Sequence, residues 1–183
     1  TAPGSAPIER SFARLPELDD RHPGFAVGHD AGSTRATICG PGYLITIARD
    51  GTRARVTAGG TVVVDDLAGT ATKVVRAAEP GEIFVGLGEK TGPLDRRGRR
   101  YVLRNTDAYD PGHGGFAPDA DPLYLSIPFY LGVRGDIAYG VFTDVAYRLA
   151  FDFAADDDDR TVVETSGPDI DQWIFLGPTP REI

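Results

Sequence analysis

The feature that most constrains the fold is an alternation of apolar residues in the second half of the chain. Between residues 123 and 133 every odd position is apolar, and between residues 139 and 153 the odd positions are again mostly apolar. Even positions in the second stretch include Asp144, Arg148 and Asp152. A period of two is that of a β-strand with one face buried and the other at least partly wet, so we expect the odd face to point into the core. Fifteen residues exceed a usual strand, and we therefore expect a bend or break near residues 144–146.

Shorter β-prone runs, separated by turn residues, fill much of the remaining chain. They are predicted at residues 25–29, 35–39, 43–48, 53–57, 61–64, 72–77, 161–165 and 172–176. With 23 glycines and 14 prolines, about one residue in five disfavours a helix, which argues against a helical bundle. A chain of 183 residues suits one domain with a real core. Roughly ten to fourteen strands predict an all-β fold, a large antiparallel β-sandwich.

Composition narrows the classes of partner. The chain has 19 basic and 27 acidic residues and a net charge of −8, which opposes nucleic-acid binding through phosphate neutralisation. No apolar run approaches the roughly 18 residues of a membrane span, and no secretion signal stands at the amino end. We therefore expect no membrane partner and a cytoplasmic location, with a removed signal left open. The single cysteine, Cys39, lies in an apolar stretch and is expected to be a small buried residue.

The ends of the chain differ from its middle. Residues 1–23 are polar and dotted with prolines, and we interpret them as a lead-in segment packed on a sandwich of residues 24–177. Residues 178–183 resemble a helix start, with Thr179 as N-cap, Pro180 at the first helical position and Glu182 as a first-turn acid. This pattern predicts a linker helix and a domain that belongs to a longer protein.

The segment of residues 85–108 is the strongest candidate for a binding region. It joins Gly86 and Gly88 to a dense set of charged groups and is expected to form a shaped loop or a pair of loops. Its cluster of arginines is expected to pair with neighbouring acids, with Glu89 and Asp95 facing arginines. The basic residues are Arg96, Arg97, Arg99 and Arg100.

Other constellations are better explained without a ligand. The glycines around Lys90 lack the spacing of a phosphate cradle. The acidic loop of residues 107–121 has no recognised spacing of metal ligands, and residues 156–159 are most simply a charged hairpin tip, with weak calcium binding a distant second. Trp173 is expected in the core. We therefore expect no cofactor, no metal and no catalytic residue in this chain.

Six motifs in register carry a resemblance to a known family. They are Gly86 to Gly98 (GLGEKTGPLDRRG), Asn105 to Ala108 (NTDA), Asp121 to Tyr124 (DPLY), Ser126 to Phe129 (SIPF), Tyr139 to Phe142 (YGVF) and Gly177 to Pro180 (GPTP). In order and spacing the chain resembles the amino-terminal domain of glycoside hydrolase family 31, which includes α-glucosidases and α-xylosidases. The likeness covers about residues 84–183.

The resemblance implies a galactose-mutarotase-like β-supersandwich that precedes a (β/α)₈ barrel. In this family both catalytic groups are barrel aspartates that work by double displacement, the retaining chemistry of paired carboxyl groups. The chain is then the non-catalytic amino-terminal domain of an α-glucosidase-like enzyme and is inactive alone. Its expected partners are that barrel and an α-linked oligosaccharide or glycoside.

The resemblance also implies a role for one loop at the rim of the active site. The matching residues are Asn105, Thr106 and Asp107, and the Asp107 carboxylate would accept hydrogen bonds from sugar hydroxyls. Arg104 stands where relatives commonly have a tryptophan, a departure that leaves substrate preference open.

Two alternatives stay open from the sequence alone. One is an autonomous carbohydrate-binding module, a class that usually offers exposed aromatic rings. The other is a purely structural domain whose loop never meets substrate. If the domain packs on a barrel, one of its faces should carry apolar groups that the isolated chain leaves bare.

Overall fold

The computed structural model describes residues 26–28, 35–40, 42–48, 53–177 and 179–183, which contain thirteen β-strands. The strands are β1 (Ala26–Gly28), β2 (Arg35–Gly40), β3 (Tyr43–Ala48), β4 (Ala54–Ala58), β5 (Thr61–Thr70), β6 (Lys73–Ala77), β7 (Ile83–Gly88), β8 (Arg99–Leu103), β9 (Ser126–Arg134), β10 (Ile137–Thr143), β11 (Leu149–Phe153), β12 (Arg160–Thr165) and β13 (Gln172–Gly177). None of these residues forms a helix long and apolar enough to cross a membrane.

The strands form two antiparallel sheets. The larger has nine strands in the order β1-β2-β3-β4-β5-β6-β12-β11-β8, and the smaller has four in the order β13-β10-β9-β7. Strand β5 pairs with β4 up to Asp65 and with β6 from Asp66 onward, and its pairing with β6 carries a register shift between Asp66 and Ala68. The predicted all-β antiparallel sandwich is confirmed.

The core between the sheets is aromatic. Phe84 of β7 stacks on Phe153 of β11 with ring centroids 4.9 Å apart, and Tyr130 of β9 meets Phe153 edge-on at 5.1 Å. Each of these side chains is at most 1% exposed. Offset and edge-to-face ring pairs add to the energy of area burial, so this cluster holds the two sheets together.

The alternation of apolar residues correctly predicted the strands, but for β9 it predicted the wrong face to be buried. The second stretch breaks as expected, because β10 ends at Thr143, β11 begins at Leu149, and the two strands lie in different sheets. In β9 the expectation is wrong: Tyr130 is 1% exposed and faces the core, whereas Ile127 is 44% exposed. The even face of β9 includes Ser126 and Arg134 and is the less apolar of the two, but the packing of Tyr130 in the aromatic cluster places it inside.

The face of the four-stranded sheet that points away from the core is therefore apolar, and we call it the outer face. The register places on it Ile83, Val85, Ile127, Phe129, Leu131, Val133, Phe142, Trp173 and Phe175. Ile83, Ile127 and Phe175 are exposed and the others are half-buried. Trp173 was expected in the core, but its pairing with Phe142 places it on this face.

The segment of residues 85–108, expected as loops, instead contains strands β7 and β8. Strand β7 carries a bulge against β9, with φ of 138° at Gly86 and 77° at Gly88. A Cβ at Gly86 would lie 2.5 Å from the carbonyl oxygen of Phe129, and one at Gly88 would lie 2.7 Å from that of Leu125. The glycines thus allow the close approach of two strands rather than a loop around a ligand.

Three further expectations concern Cys39 and the two ends of the chain. Cys39 is exposed, not buried, because it pairs with Leu44 on a face of the β2–β3 hairpin where Leu44 is also exposed. The lead-in segment of residues 1–23 lies outside the described residues. Residues 179–183 form a turn in which Glu182 N donates to Thr179 O at 3.1 Å, and the linker helix stays a prediction.

Candidate functional site

The predicted rim residues follow directly after β8, in the segment of residues 104–109 that we call the rim loop. Asn105 Oδ1 accepts a hydrogen bond from Ser126 N at 2.8 Å. Thr106 N donates to Leu123 O at 3.0 Å, and its hydroxyl donates to Arg104 O at 2.9 Å. These two predicted site residues therefore anchor the loop to its own backbone and to the segment that leads into β9.

Asp107 is exposed, as Asn105 is, but its side chain makes a local contact instead of a bond to β9. The residue is exposed, and Oδ1 accepts a hydrogen bond from Tyr109 N at 3.2 Å, an Asx-turn that orients the side chain. An ionised carboxylate has about four acceptor positions, so free acceptor capacity remains toward solvent. The binding role predicted for Asn105, Thr106 and Asp107 stays a prediction.

Tyr124 is a neighbour of Asp107 that sequence reasoning did not single out. It lies near the carboxylates of Asp107 and Glu89, and Tyr109 is close by. Partial desolvation, followed by the negative charges of Asp107 and Glu89, raises the pKa of the Tyr124 phenol. The available signal was its place in the Asp121 to Tyr124 motif.

Exposed aromatic rings flank this carboxylate. Tyr109 is 60% exposed and Tyr124 is 40% exposed. An aromatic face beside a hydrogen-bond acceptor is a combination that suits the apolar face and hydroxyl rim of a sugar ring.

A buried ion pair lies behind the rim loop. Lys90, whose side chain is fully buried, places Nζ 2.6 Å from Asp121 Oδ1 and 2.6 Å from Val102 O. Asp121 Oδ2 accepts a hydrogen bond from Val102 N at 2.5 Å. This Lys90–Asp121 pair ties the end of β7, the strand β8 and the approach to β9 together.

The arginine cluster is bound mostly by backbone carbonyls, which corrects the expectation of acid pairing. The buried Arg96 donates to Pro93 O at 2.8 Å and Gly86 O at 3.3 Å, and Arg97 donates to Asp158 O at 2.6 Å. Only Arg100 follows the expectation, with Asp152 Oδ2 at 3.0 Å.

The two acids of this segment also depart from the expectation. Asp95 accepts hydrogen bonds from the backbone N–H groups of Phe84 and Arg97 at 3.1 and 3.0 Å. Glu89 lies beside Tyr124. Among the described residues, neither acid forms an ion pair with an arginine.

The remaining acidic segments behave as surface turns. His113 Nδ1 lies 2.9 Å from Asp110 Oδ2 within a short turn, and residues 156–159 form the predicted tip of the β11–β12 hairpin. Arg160 contacts Asp157 and Asp159 there at 3.1 and 3.0 Å. Across the described ranges, no three His, Cys, Asp or Glu side chains are grouped to hold a metal ion.

Sequence comparison relates the chain to glycosidases. Alpha-glucosidase 2 of Bacillus thermoamyloliquefaciens is 42% identical over 100 residues, which is 55% of this chain and 12% of that protein. The alpha-glucosidase of Saccharolobus solfataricus is 32% identical over 110 residues, or 60% of this chain and 15% of that protein. The matched region is thus a small part of each relative.

Structural comparison agrees. A GH31 dextranase of Flavobacterium johnsoniae, solved in complex with glucose, superposes with a TM-score of 0.70 and 25% identity, over 87% of this chain and 19% of that one. The family described as the Glycosyl hydrolase 31 N-terminal galactose mutarotase-like domain matches residues 19–152. The resemblance drawn from the motifs is thereby confirmed: this chain belongs to the amino-terminal galactose-mutarotase-like domains of glycoside hydrolase family 31.

Proposed function

We propose that the chain is the non-catalytic amino-terminal domain of a retaining, α-glucosidase-like enzyme, which supports the catalytic barrel and lends one loop to the substrate rim. The reaction itself belongs to the barrel, where two aspartates would act by double displacement on an α-linked oligosaccharide or glycoside. Support comes from relatives that are α-glucosidases and that are several times longer than the matched region.

The observation that carries the rim role is the exposed, oriented carboxylate of Asp107. Its loop is fixed by the hydrogen bonds that Asn105 and Thr106 make to Ser126 and Leu123. Binding a ligand at the carboxylate therefore does not require a large entropic cost of ordering the loop. A preorganised acceptor that binds a sugar hydroxyl contributes most to the reaction rate when that hydrogen bond becomes stronger in the transition state.

The outer face supports the role of the domain as a buttress. Exposed apolar side chains at Ile83, Ile127 and Phe175 lie on one continuous sheet surface, an arrangement that marks an interaction site. The turn of residues 179–183 already lies against this surface, because a Cβ at Gly140 would meet the side chain of Ile183 at 2.8 Å. We propose that the barrel of the same polypeptide packs on this face.

Kinetics of the full-length enzyme test the rim role. Asp107→Ala is expected to lower kcat/KM for an aryl α-glucoside by roughly 10- to 100-fold, the value of one hydrogen bond to a charged group. Asp119→Ala, which removes an exposed acid farther along the same loop region, is the matched control and should change little. An unchanged kcat/KM for Asp107→Ala would contradict the rim role and favour the alternative of a purely structural domain. The isolated 183-residue chain should not cleave this substrate, and a rate that survives repurification would contradict the proposal.

The exposed rings of Tyr109 and Tyr124 favour one alternative, an autonomous carbohydrate-binding module. The two proposals differ in what the isolated chain does. Titration of the ¹⁵N-labelled chain with maltose and isomaltose should give no saturable shift at the rim loop if the domain supplies only one wall of the site. Saturable shifts of Tyr109 and Tyr124 at millimolar sugar would favour the module.

A further inference from the structure

The Lys90 ammonium is a buried charge. Stability alone does not explain why it is buried. Its side chain is fully buried and that of Asp121 is 19% exposed, with 2.6 Å between Nζ and Oδ1. Removing two charges from water costs several kcal/mol each, and a well-packed apolar pair is often as stable or more stable. A buried ion pair is therefore more readily explained by the geometry that it fixes.

That geometry begins at a sheet edge. β8 is the last strand of the nine-stranded sheet, and its inward neighbour is β11, where Val102 pairs with Ala150. Both backbone groups of Val102 are taken by the ion pair: N–H by Asp121 and C=O by Lys90. The two side chains thus take the place of a neighbouring strand at Val102. They satisfy its two backbone groups, which would otherwise have no partner at the edge of the sheet.

The pair also fixes the segment that carries Tyr124. From Asp121 the chain runs through Leu123, which is 1% exposed and whose carbonyl accepts the N–H of Thr106 at 3.0 Å. Glu89 N donates to Leu125 O at 2.9 Å, one residue away from Lys90 along the chain. Tyr124 is consequently held between two anchored residues, near Asp107.

We propose that Lys90 and Asp121 are positioning residues for the substrate rim: their buried ion pair sets the spacing between the rim loop and residues 121–126, and so places Tyr124 beside the Asp107 carboxylate at the rim. This inference rests on the proposed rim role for its functional consequence. Its structural part, that the pair fixes the rim loop against residues 121–126, stands on the hydrogen bonds alone.

The structural part is tested in the 183-residue chain with Lys90→Met. Lys73→Met is the matched control, since Lys73 and Glu164 form an ion pair of 3.9 Å whose side chains are 44% and 58% exposed. In Lys90→Met we expect amide hydrogen exchange at Thr106 and Ser126 to accelerate at least about tenfold, while amides of β10 and β11 keep their rates. The phenol pKa of Tyr124, followed by ¹³C NMR of labelled tyrosine, should fall toward that of a free tyrosine.

Wild-type exchange rates at Thr106 and Ser126, together with a wild-type Tyr124 titration, would overturn the inference. Should Lys90→Met not fold, Asp121→Asn is read in the same way, because it keeps the shape of the side chain and one acceptor oxygen. In the control variant all of these signals should match the wild type.

The functional part is tested in the full-length enzyme by a double-mutant cycle. Asp121→Asn should lower kcat/KM by about the same factor as Asp107→Ala, and the double variant should be no worse than either single one, because both remove the same presented carboxylate. A loss in Asp107→Ala with none in Asp121→Asn would overturn the positioning role. No loss in Asp107→Ala would instead contradict the proposed rim function, while the exchange data still decide the structural part.

Discussion

The guanidinium of Arg76, in the nine-stranded sheet, donates a hydrogen bond at 3.0 Å to the phenol oxygen of Tyr130, in the four-stranded sheet. Arg76 also bonds Asp66 at 2.7 Å and Gln172 at 2.9 Å. One buried cation therefore links its own strand, β6, to β5, β9 and β13 across the interior of the sandwich. An uncompensated charge at this position would be costly.

Removal of this cation should be strongly destabilising. Arg76→Met leaves the Asp66 carboxylate, with its side chain 6% exposed, without its charged partner. We expect a loss of about 3–5 kcal/mol in the free energy of unfolding, measured by urea denaturation. Arg55→Met breaks the exposed pair with Asp65 and should cost at most about 1 kcal/mol. Equal losses in the two variants would contradict the assigned role of Arg76.

A second buried network should make the fold sensitive to alkaline pH. Tyr139 donates to Glu82 Oε1 at 2.6 Å, and burial, followed by the fields of Tyr130 and Glu82, raises the phenol pKa of Tyr139 well above 10.0. Since the folded-state pKa exceeds the unfolded one, this contribution is fully present below pH 10 and is lost as pH rises toward the folded pKa.

The free energy of unfolding should therefore fall above pH 10, by as much as about 1.4 kcal/mol per pH unit for each such tyrosine. Tyr139→Phe should reduce this slope and cost about 1–3 kcal/mol at neutral pH, because Glu82 is 0% exposed and loses a donor. Tyr147→Phe, at a tyrosine that is 55% exposed, should leave both quantities unchanged. Urea midpoints between pH 9 and 11 provide the measurement.

The bulge at the end of β7 should tolerate no side chain. Gly88→Ala places a Cβ against the Leu125 carbonyl at a φ of 77°, so we expect a loss of roughly 2–4 kcal/mol and a lower Tm. Gly135→Ala is the matched control, since that glycine also has a positive φ, of 56°, but a Cβ there meets nothing within 4 Å. The control should cost only the roughly 1–2 kcal/mol of a left-handed residue. Identical Tm values for the two variants would rule out the close approach as the reason for Gly88.

Particular residues show how far the sequence could predict this structure. The period of two located β9, β10 and β11, and the break at residues 144–148 followed from strand length alone. The orientation of β9 did not follow, because the regularly apolar face of this strand is the outer one, and only the packing of Tyr130 across the core places the even face inside. Strands β7 and β8 were missed because a glycine bulge and the exposed side chains Arg99 and Arg100 hide their periodicity.

The candidate site shows the same division. Asp107 came from a motif resemblance, and the structure leaves its carboxylate exposed. The contacts that position it join residues distant along the chain, such as Lys90 and Asp121, 31 positions apart. Such proximity is set by the sheet topology, and no local pattern encodes it.

The apolar outer face should be recognisable in solution. Ile127→Ser combined with Phe175→Ser should reduce binding of a hydrophobic dye to the isolated chain several-fold, with a loss of roughly 1–3 kcal/mol in the free energy of unfolding because both side chains are partly buried. Leu94→Ser, at a single leucine that is 71% exposed away from this face, is the control for the loss of an isolated apolar side chain. Dye binding that stays at the wild-type level in the double variant would contradict the assignment of the outer face.

The most direct test of the account, that this chain is one packed domain of a larger glycosidase, is side-chain footprinting by a short-lived carbene reagent. Labelling of Ile127 and Phe175 is compared between the isolated chain and the full-length enzyme, with Leu67, which is 45% exposed on β5, as internal reference. The account predicts strong labelling of both outer-face residues in the isolated chain and at least about tenfold less in the full-length enzyme, since buried interface atoms are removed from solvent. Equal labelling in the two proteins would contradict it.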